Sequence, residues 1–342
     1  MNHTAFSTEP FFHGHVQGIA WDAEKEEMYF AFTTLLVKTD KTGKTLGTVG
    51  NLAGHLGCIV FDPARRRVYG SLEMKHDKIG KGVIAQIGFD PCADDLFYAV
   101  AFDCDRIDRT GMDAQTDGVM RAVCLKDVCA DYAASDPVSG CAHRYGCSGI
   151  DGTALGPDFG DPDGENVLLI AYGIYGDVSR EDNDHQVLLR FSPSVFDEYG
   201  RELSAASPHR SGPDRADARY FFFTGNTEWG VQNLEYDPFS RRYLAAVYRG
   251  RKEKYENPPM FFLDAAAAPV LSGLKGRGGE KGLLLALSEP AFSGFPLGQT
   301  GIASLGDGTL WFSEPLRDPE TKGERSLVRV FREKDGSFVP EE

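Results

Sequence analysis

Basic clusters, long apolar runs and late cysteines are all missing from this chain, and each absence narrows what it does. Its 36 Lys and Arg residues are scattered among 51 Asp and Glu, for a net charge of −15. Nucleic-acid binding requires concentrated positive charge that displaces counterions from phosphates, so no nucleic-acid partner is expected. The acidity itself reads as solubility. No apolar stretch approaches the roughly 20 residues of a membrane-spanning helix, so no membrane partner is expected either. The opening MNHTAFSTEPFFHGH has no basic segment followed by an apolar one, as a signal peptide would. All seven cysteines (Cys58, Cys92, Cys104, Cys124, Cys129, Cys141 and Cys147) fall in the first half of the chain. A secreted disulfide framework is even in number and spread through the fold, so reduced thiols and a cytoplasmic location are expected. No C-x-x-C pair, P-loop, strand-linked GxGxxG, GxSxG elbow or HExxH occurs, and no nucleotide cofactor is expected.

What is present is glycine, proline and repetition. With 39 Gly and 18 Pro among 342 residues, turns are frequent and strands short. One pattern recurs: a Gly-containing approach, an aliphatic residue, an aromatic with Asp close behind, a turn, then an apolar strand. It reads HVQGIAWDAEKEEMYFAF from His15 and GHLGCIVFDPARRRVYGSL from Gly54. It returns from Tyr145, as WGVQNLEYDPFSRRYLAAVY from Trp229, and as FPLGQTGIASLGDGTLWFSE from Phe295. The aliphatic anchors are Ile19, Ile59, Ile150, Leu234 and Ile302.

The segments between anchors supply about four strands each, counting GVIAQIGF and LFYAVAFD in the second unit and GLLLALS in the fourth. The last unit lacks a strand, which residues near 4–12 are expected to supply, closing the ring. The fold expected is therefore all-β: one five-bladed β-propeller over 1–342, its blades four-stranded antiparallel sheets. A non-strand insert at about 104–142 is expected to border the pocket face, as a lid or as a packing flap. In this architecture the chain resembles the five-bladed propeller superfamily, which includes arabinanase-like glycosidases and calcium-activated nucleotidases. Those glycosidases use carboxylates around the axis, and the nucleotidases hold calcium there. No residue motif of either family matches, so the resemblance implies the fold and a site on the axis, with no catalytic residue carried over.

In a propeller the loops entering the innermost strand share a face with those joining strands 2 and 3. The opposite turns here (AEKEE, PARRR, PFSRR, GDG) are explained by turn chemistry alone. The first set is different, because it carries six of the eight histidines. That bias places the site on this face.

Candidate catalytic residues are His15, His55, Glu73, His143 and Glu228. His15 and His55 stand four positions before the anchors of neighbouring blades, so both aim at the axis. Neutral imidazoles so placed suit an acid–base pair or one divalent metal (Ca, Mn or Zn). Two of the four carboxylates Glu73, Asp177, Glu228 and Glu314 can serve as acid and base on a glycosidic bond. Arg144 and Arg249, with Lys75, offer charge for an anionic group, and Tyr145, Tyr172, Tyr175, Trp229 and Tyr248 offer flat faces suited to sugar rings. Gln17, Gln232 and Gln299 recur at the inner-strand starts and are expected to line the axial channel. The reading that results is a small-molecule enzyme, a carbohydrate-active hydrolase or lyase on an acidic or substituted sugar. A metal-dependent esterase, lactonase or phosphoesterase is the second reading, and a non-catalytic binding or scaffolding propeller the third. The sequence leaves the oligomeric state open.

Overall fold

Five inner strands, Val16–Asp22, His55–Asp62, Cys147–Pro157, Thr227–Asp237 and Ile302–Ser304, form a closed ring in which each packs on the next and the last on the first. The structure, a computed structural model, describes residues 5–88, 94–334 and 336–341. Each inner strand leads outward into an antiparallel sheet, giving a five-bladed β-propeller.

The strands run apolar instead of alternating because every blade is covered on both faces. Successive side chains of a strand point to opposite faces. Tyr29 and Ala31 accordingly enter the core toward the second blade, while Met28, Phe30 and Phe32 enter the core toward the fifth. Five cores result, one at each blade interface. Each repeated anchor fills a different one. Ile59, Ile150, Leu234, Ile302 and Ile19 all face the preceding blade and are at most 2% exposed. Burial of one such side chain contributes about 1.5–3 kcal/mol, so the repeat marks the residues that hold the ring together.

The Asp of the repeat has a local task. Asp22 accepts from the backbone N–H of Glu24 and Lys25, Asp62 from Ala64 and Arg65, and Asp237 from Phe239 and Ser240. Such turns close by side chain to backbone bonding. Their last residues, Glu26, Arg66 and Arg241, take the left-handed conformation.

Closure agrees with the expectation, with an addition. Ala5–Ser7 pairs antiparallel with Leu327 to Arg329 of the third strand of the fifth blade, and Phe11 bridges Glu324. The rest of that strand is covered by the C-terminal Ser337–Pro340. The blade's missing outer strand is thus supplied by both ends of the chain.

Three expectations about strands are corrected. GVIAQIGF is not a strand: Lys78–Ile87 is a helix, capped by the Asp77 side chain on the N–H of Gly80 and closed by left-handed Gly88. The fourth strand of the second blade comes from inside the expected insert, as Met120–Cys124. GLLLALS is split between blades: Lys281–Leu284 adds in parallel to the third blade, and Leu287–Ser293 completes the fourth. The insert at 104–142 is correspondingly less of a lid. Its Met112–Asp113 extends the edge of the first blade, and only its later part, from the helix Lys126–Ala133 onward, reaches the site face. Six cysteines are free thiols, and Cys92 lies outside the described residues. No described helix is long and apolar enough to cross a membrane.

Candidate functional site

The inner strands of the first four blades open together at the axis. Their first residues, with the 2→3 loops, enclose a cavity of about 260 Å³ lined by His15, Gln17, Thr33, His55, Glu73, Lys75, Ile79, Ser148, Asp151, Trp229, Gln232 and Tyr248.

Glu73 stands directly across the strand pair from His55. Its Oε1 accepts the backbone N–H of Ile150 at 2.6 Å, and its Oε2 lies 2.8 Å from Nζ of Lys75 and 3.6 Å from Nδ1 of His55. Burial alone would raise this carboxyl, but Lys75 and His55 outweigh it and hold Glu73 below the usual range. The same pairing, with Asp77 at 3.6 Å, raises Lys75 against the effect of its burial, and Nζ also donates to the carbonyl of Ser148 at 2.7 Å. Lys75 is therefore fully engaged. Gly149 makes the approach feasible: a Cβ there would collide with the Glu73 carboxylate, and its φ of +130° suits glycine.

His55 is the unusual member. It is 9% exposed, yet neither ring nitrogen has a hydrogen-bond partner. Buried polar atoms are rarely left so. Beside it on the next inner strand is Asp151, whose Oδ2 accepts from Gln232 Nε2 at 3.0 Å. Its Oδ1 lies over Gly57, two residues along from His55. Burial, then the negative charge of Glu73, raise the Asp151 carboxyl to about 7, against the opposing pull of His55 and Lys75. Desolvation and the neighbouring His55 lower the imidazole of His15 at the mouth.

The cavity thus gathers His15, His55, Glu73, Trp229 and Tyr248 from the expected set, with Lys75, Gln17 and Gln232. Asp151, Ser148 and Thr33 were missed. Asp151 sits in a repeat whose anchor is followed at once by Asp, SGIDG, where the others have Ala, Val, Glu or Ala, and that departure was the available signal. Gln299 turns away and donates to the carbonyls of Val247 and Pro259.

A second set lines an adjoining open groove of about 530 Å³: His143, Tyr175, Asp177, Glu228 and Trp229, with Arg180 and Arg251. Trp229 belongs to both cavities. Glu228 is ion-paired to Arg251 at 3.1 Å, and exposed Asp177 closes its own turn on Ser179. His143 Nδ1 bonds the carbonyl of Tyr132, and Tyr175 donates to Asp77 at 3.2 Å.

The remaining expected residues lie elsewhere. Tyr172 is buried and donates to Asp131. Tyr145 lies under the guanidiniums of Arg144, Arg219 and Arg277 and donates to Glu280. Arg144 itself pairs with Glu280 at 2.8 Å, facing a different cleft. Arg249 is exposed in its strand opposite Thr227, and Glu314 pairs with Arg329 on the fifth blade. None of these side chains lines the axial cavity, although Tyr172, Arg249 and Glu314 lie on second strands as the cavity residues Glu73 and Tyr248 do. Of the cationic residues expected there, Lys75 lines the axial cavity and Arg144 and Arg249 do not.

Among the described residues no group of three or more His, Cys, Asp or Glu is arranged to hold a metal ion. The carboxylate best placed to do so already carries the Lys75 ammonium, which would repel a cation.

No family model and no curated protein matches the chain. Among solved structures it is similar to a luciferin-regenerating enzyme (12% identity, 95% of each chain covered, TM-score 0.35). It is also similar to the native arabinanase Arb43A of Bacillus subtilis (10% identity, 96% of each chain, TM-score 0.44). Scores this low leave the site to be read from its own residues.

Proposed function

We propose that this propeller is a glycoside-type hydrolase whose axial cavity holds one sugar ring, with Asp151 and His55 as its acid and base. The observation that carries the reading is a buried imidazole, with no hydrogen bond on either ring nitrogen and only the 3.6 Å approach of Glu73, beside a carboxyl raised to about 7. A cavity of 260 Å³ falls just below the usual range for drug-sized ligands, which suits a single ring. Tyr248 and Trp229 supply flat faces, and Gln17 and Gln232 supply amides for hydroxyls. The substrate ring is neutral, because Lys75 is saturated and the two arginines lie outside.

In the reaction, protonated Asp151 gives its proton to the leaving oxygen as the C–O bond breaks. His55 takes a proton from the water that adds to the ring carbon. One water is consumed across one bond, and solvent returns the proton from His55 to Asp151. Glu73 is a positioning residue, since both its oxygens are committed to Ile150, Lys75 and His55. General acid or base groups of this kind each contribute about 10²- to 10⁴-fold.

The test is turnover of a panel of neutral nitrophenyl glycosides and oligosaccharides. Asp151→Asn and His55→Ala should each lose at least about 10²-fold in kcat while the variants remain folded. Retained activity in either variant, or no turnover of any glycoside by the wild type, defeats the proposal.

A further inference from the structure

Three rings that line the groove beside the axial cavity, His143, Tyr175 and Trp229, form a row that buried Tyr132 extends behind it. The centroids of Tyr132 and His143 are 4.3 Å apart, those of His143 and Tyr175 5.3 Å, and those of Tyr175 and Trp229 5.8 Å. The row ends at Trp229, the residue shared with the axial cavity. It therefore starts where the proposed one-ring site stops.

The backbone supports the same place. Among the described residues, nine other than glycine have positive φ. Glu26, Arg66 and Arg241 close the Asp-capped turns, Lys322 closes another turn, and Asn51 and Asn257 are of the type that tolerates the conformation. The three left are bulky rings, His143, Tyr145 and Trp229 at φ 65°, 60° and 67°. Two of them line this groove. His143 and Tyr145 sit in the tight turn closed by the Gly146 N–H on the His143 carbonyl, and Trp229 in the bulged stretch between Glu228 and Val231, so turn and bulge hold His143 and Trp229 at the groove wall. Opposite the rings, Glu228 and Arg251 are paired at 3.1 Å and offer both acceptors and donors at the rim.

We propose that this groove is a second subsite, which receives the ring on the other side of the scissile bond, so that the substrate is a neutral saccharide of at least two linked units. Trp229 separates the two rings, Tyr175 and His143 carry the outer one, and Glu228 with Arg251 bonds its hydroxyls. The inference rests on the proposed hydrolase reading of the axial cavity.

The experiment is calorimetric binding of neutral arabino-, xylo- and galacto-oligosaccharides of one to four units to the full-length Asp151→Asn protein. Affinity should rise at least 10-fold from one unit to two in the series that binds. Tyr175→Leu should remove that gain while leaving the one-unit affinity unchanged. Arg251→Ala, at an exposed position, should show the same split and serves if Tyr175→Leu does not fold. Equal affinity for one and two units, or equal weakening of both in the variants, overturns the subsite. Length-dependent binding without wild-type hydrolysis defeats the hydrolase reading alone, and absence of binding in every series overturns both.

Discussion

The Lys75 ammonium lies 2.8 Å from Oε2 of Glu73, with the two side chains only 5% and 4% exposed. Deleting one partner of such a pair leaves the other charge buried and unpaired, at a cost of about 3–5 kcal/mol. Lys75→Met should therefore destabilise by about that much in urea unfolding. The double variant Lys75→Met/Glu73→Gln should lose clearly less than the sum of the single variants. Additive losses would show that the pair is not coupled.

The raised Asp151 carboxyl fixes two pH dependences. It must be protonated to act as an acid, so kcat should fall as pH rises through about 7. Between the unfolded value near 4 and about 7, the folded chain binds the extra proton. Asp151 therefore lowers stability progressively as pH rises through that window. In Asp151→Asn the slope of stability between pH 4 and 7 should flatten; a slope identical to wild type would contradict this assignment.

Gly149→Ala should both unsettle the site and destabilise the fold. The added methyl would occupy the place of the Glu73 carboxylate, at a φ of +130° that side chains rarely adopt. A loss of about 2 kcal/mol or more is expected, by strain and by displacement of Glu73 from Ile150. Chemical denaturation of the variant measures it, and wild-type stability would refute the packing.

Ring closure is testable at Phe6. Its ring meets Trp311 edge-on at 5.7 Å in the strand that completes the fifth blade. Phe6→Ala should cost about 1–3 kcal/mol, less than a fully buried phenylalanine because Phe6 is half-buried. A chain lacking residues 1–8 should melt earlier and self-associate through the uncovered strand, as light scattering would detect. A monomer melting at the wild-type temperature would refute the closure.

How much of this was written in the chain can be judged from single residues. Ile19, Ile59, Ile150, Leu234 and Ile302 were recognisable because a repeated blade needs the same plug at each interface, and repetition is visible locally. Asp22, Asp62 and Asp237 were recognisable for a similar reason: a turn is closed by residues two or three apart. The biased placing of histidines pointed to one face, and His15 and His55 line one cavity because inner strands aim at one axis.

Local pattern did not extend to GVIAQIGF, whose apolar residues suit a buried strand as well as the helix that Asp77 and Gly88 enforce. Nor did it separate Glu73 from Glu228 and Glu314, or Arg144 from Lys75. Each is a charged residue near a strand end, and only the folded packing brings Glu73 and Lys75 to the axial cavity. Composition and periodicity determined five blades and one histidine-rich face, since burial and turn geometry act over a few residues. The tertiary structure decided that Asp151 joins His55, that Lys75 neutralises Glu73, and that the arginines stay outside. Although Glu73 and Lys75 are neighbours in the chain, their burial, like the approach of Asp151 to His55, depends on packing and desolvation between strands distant in the sequence, which local spacing does not record.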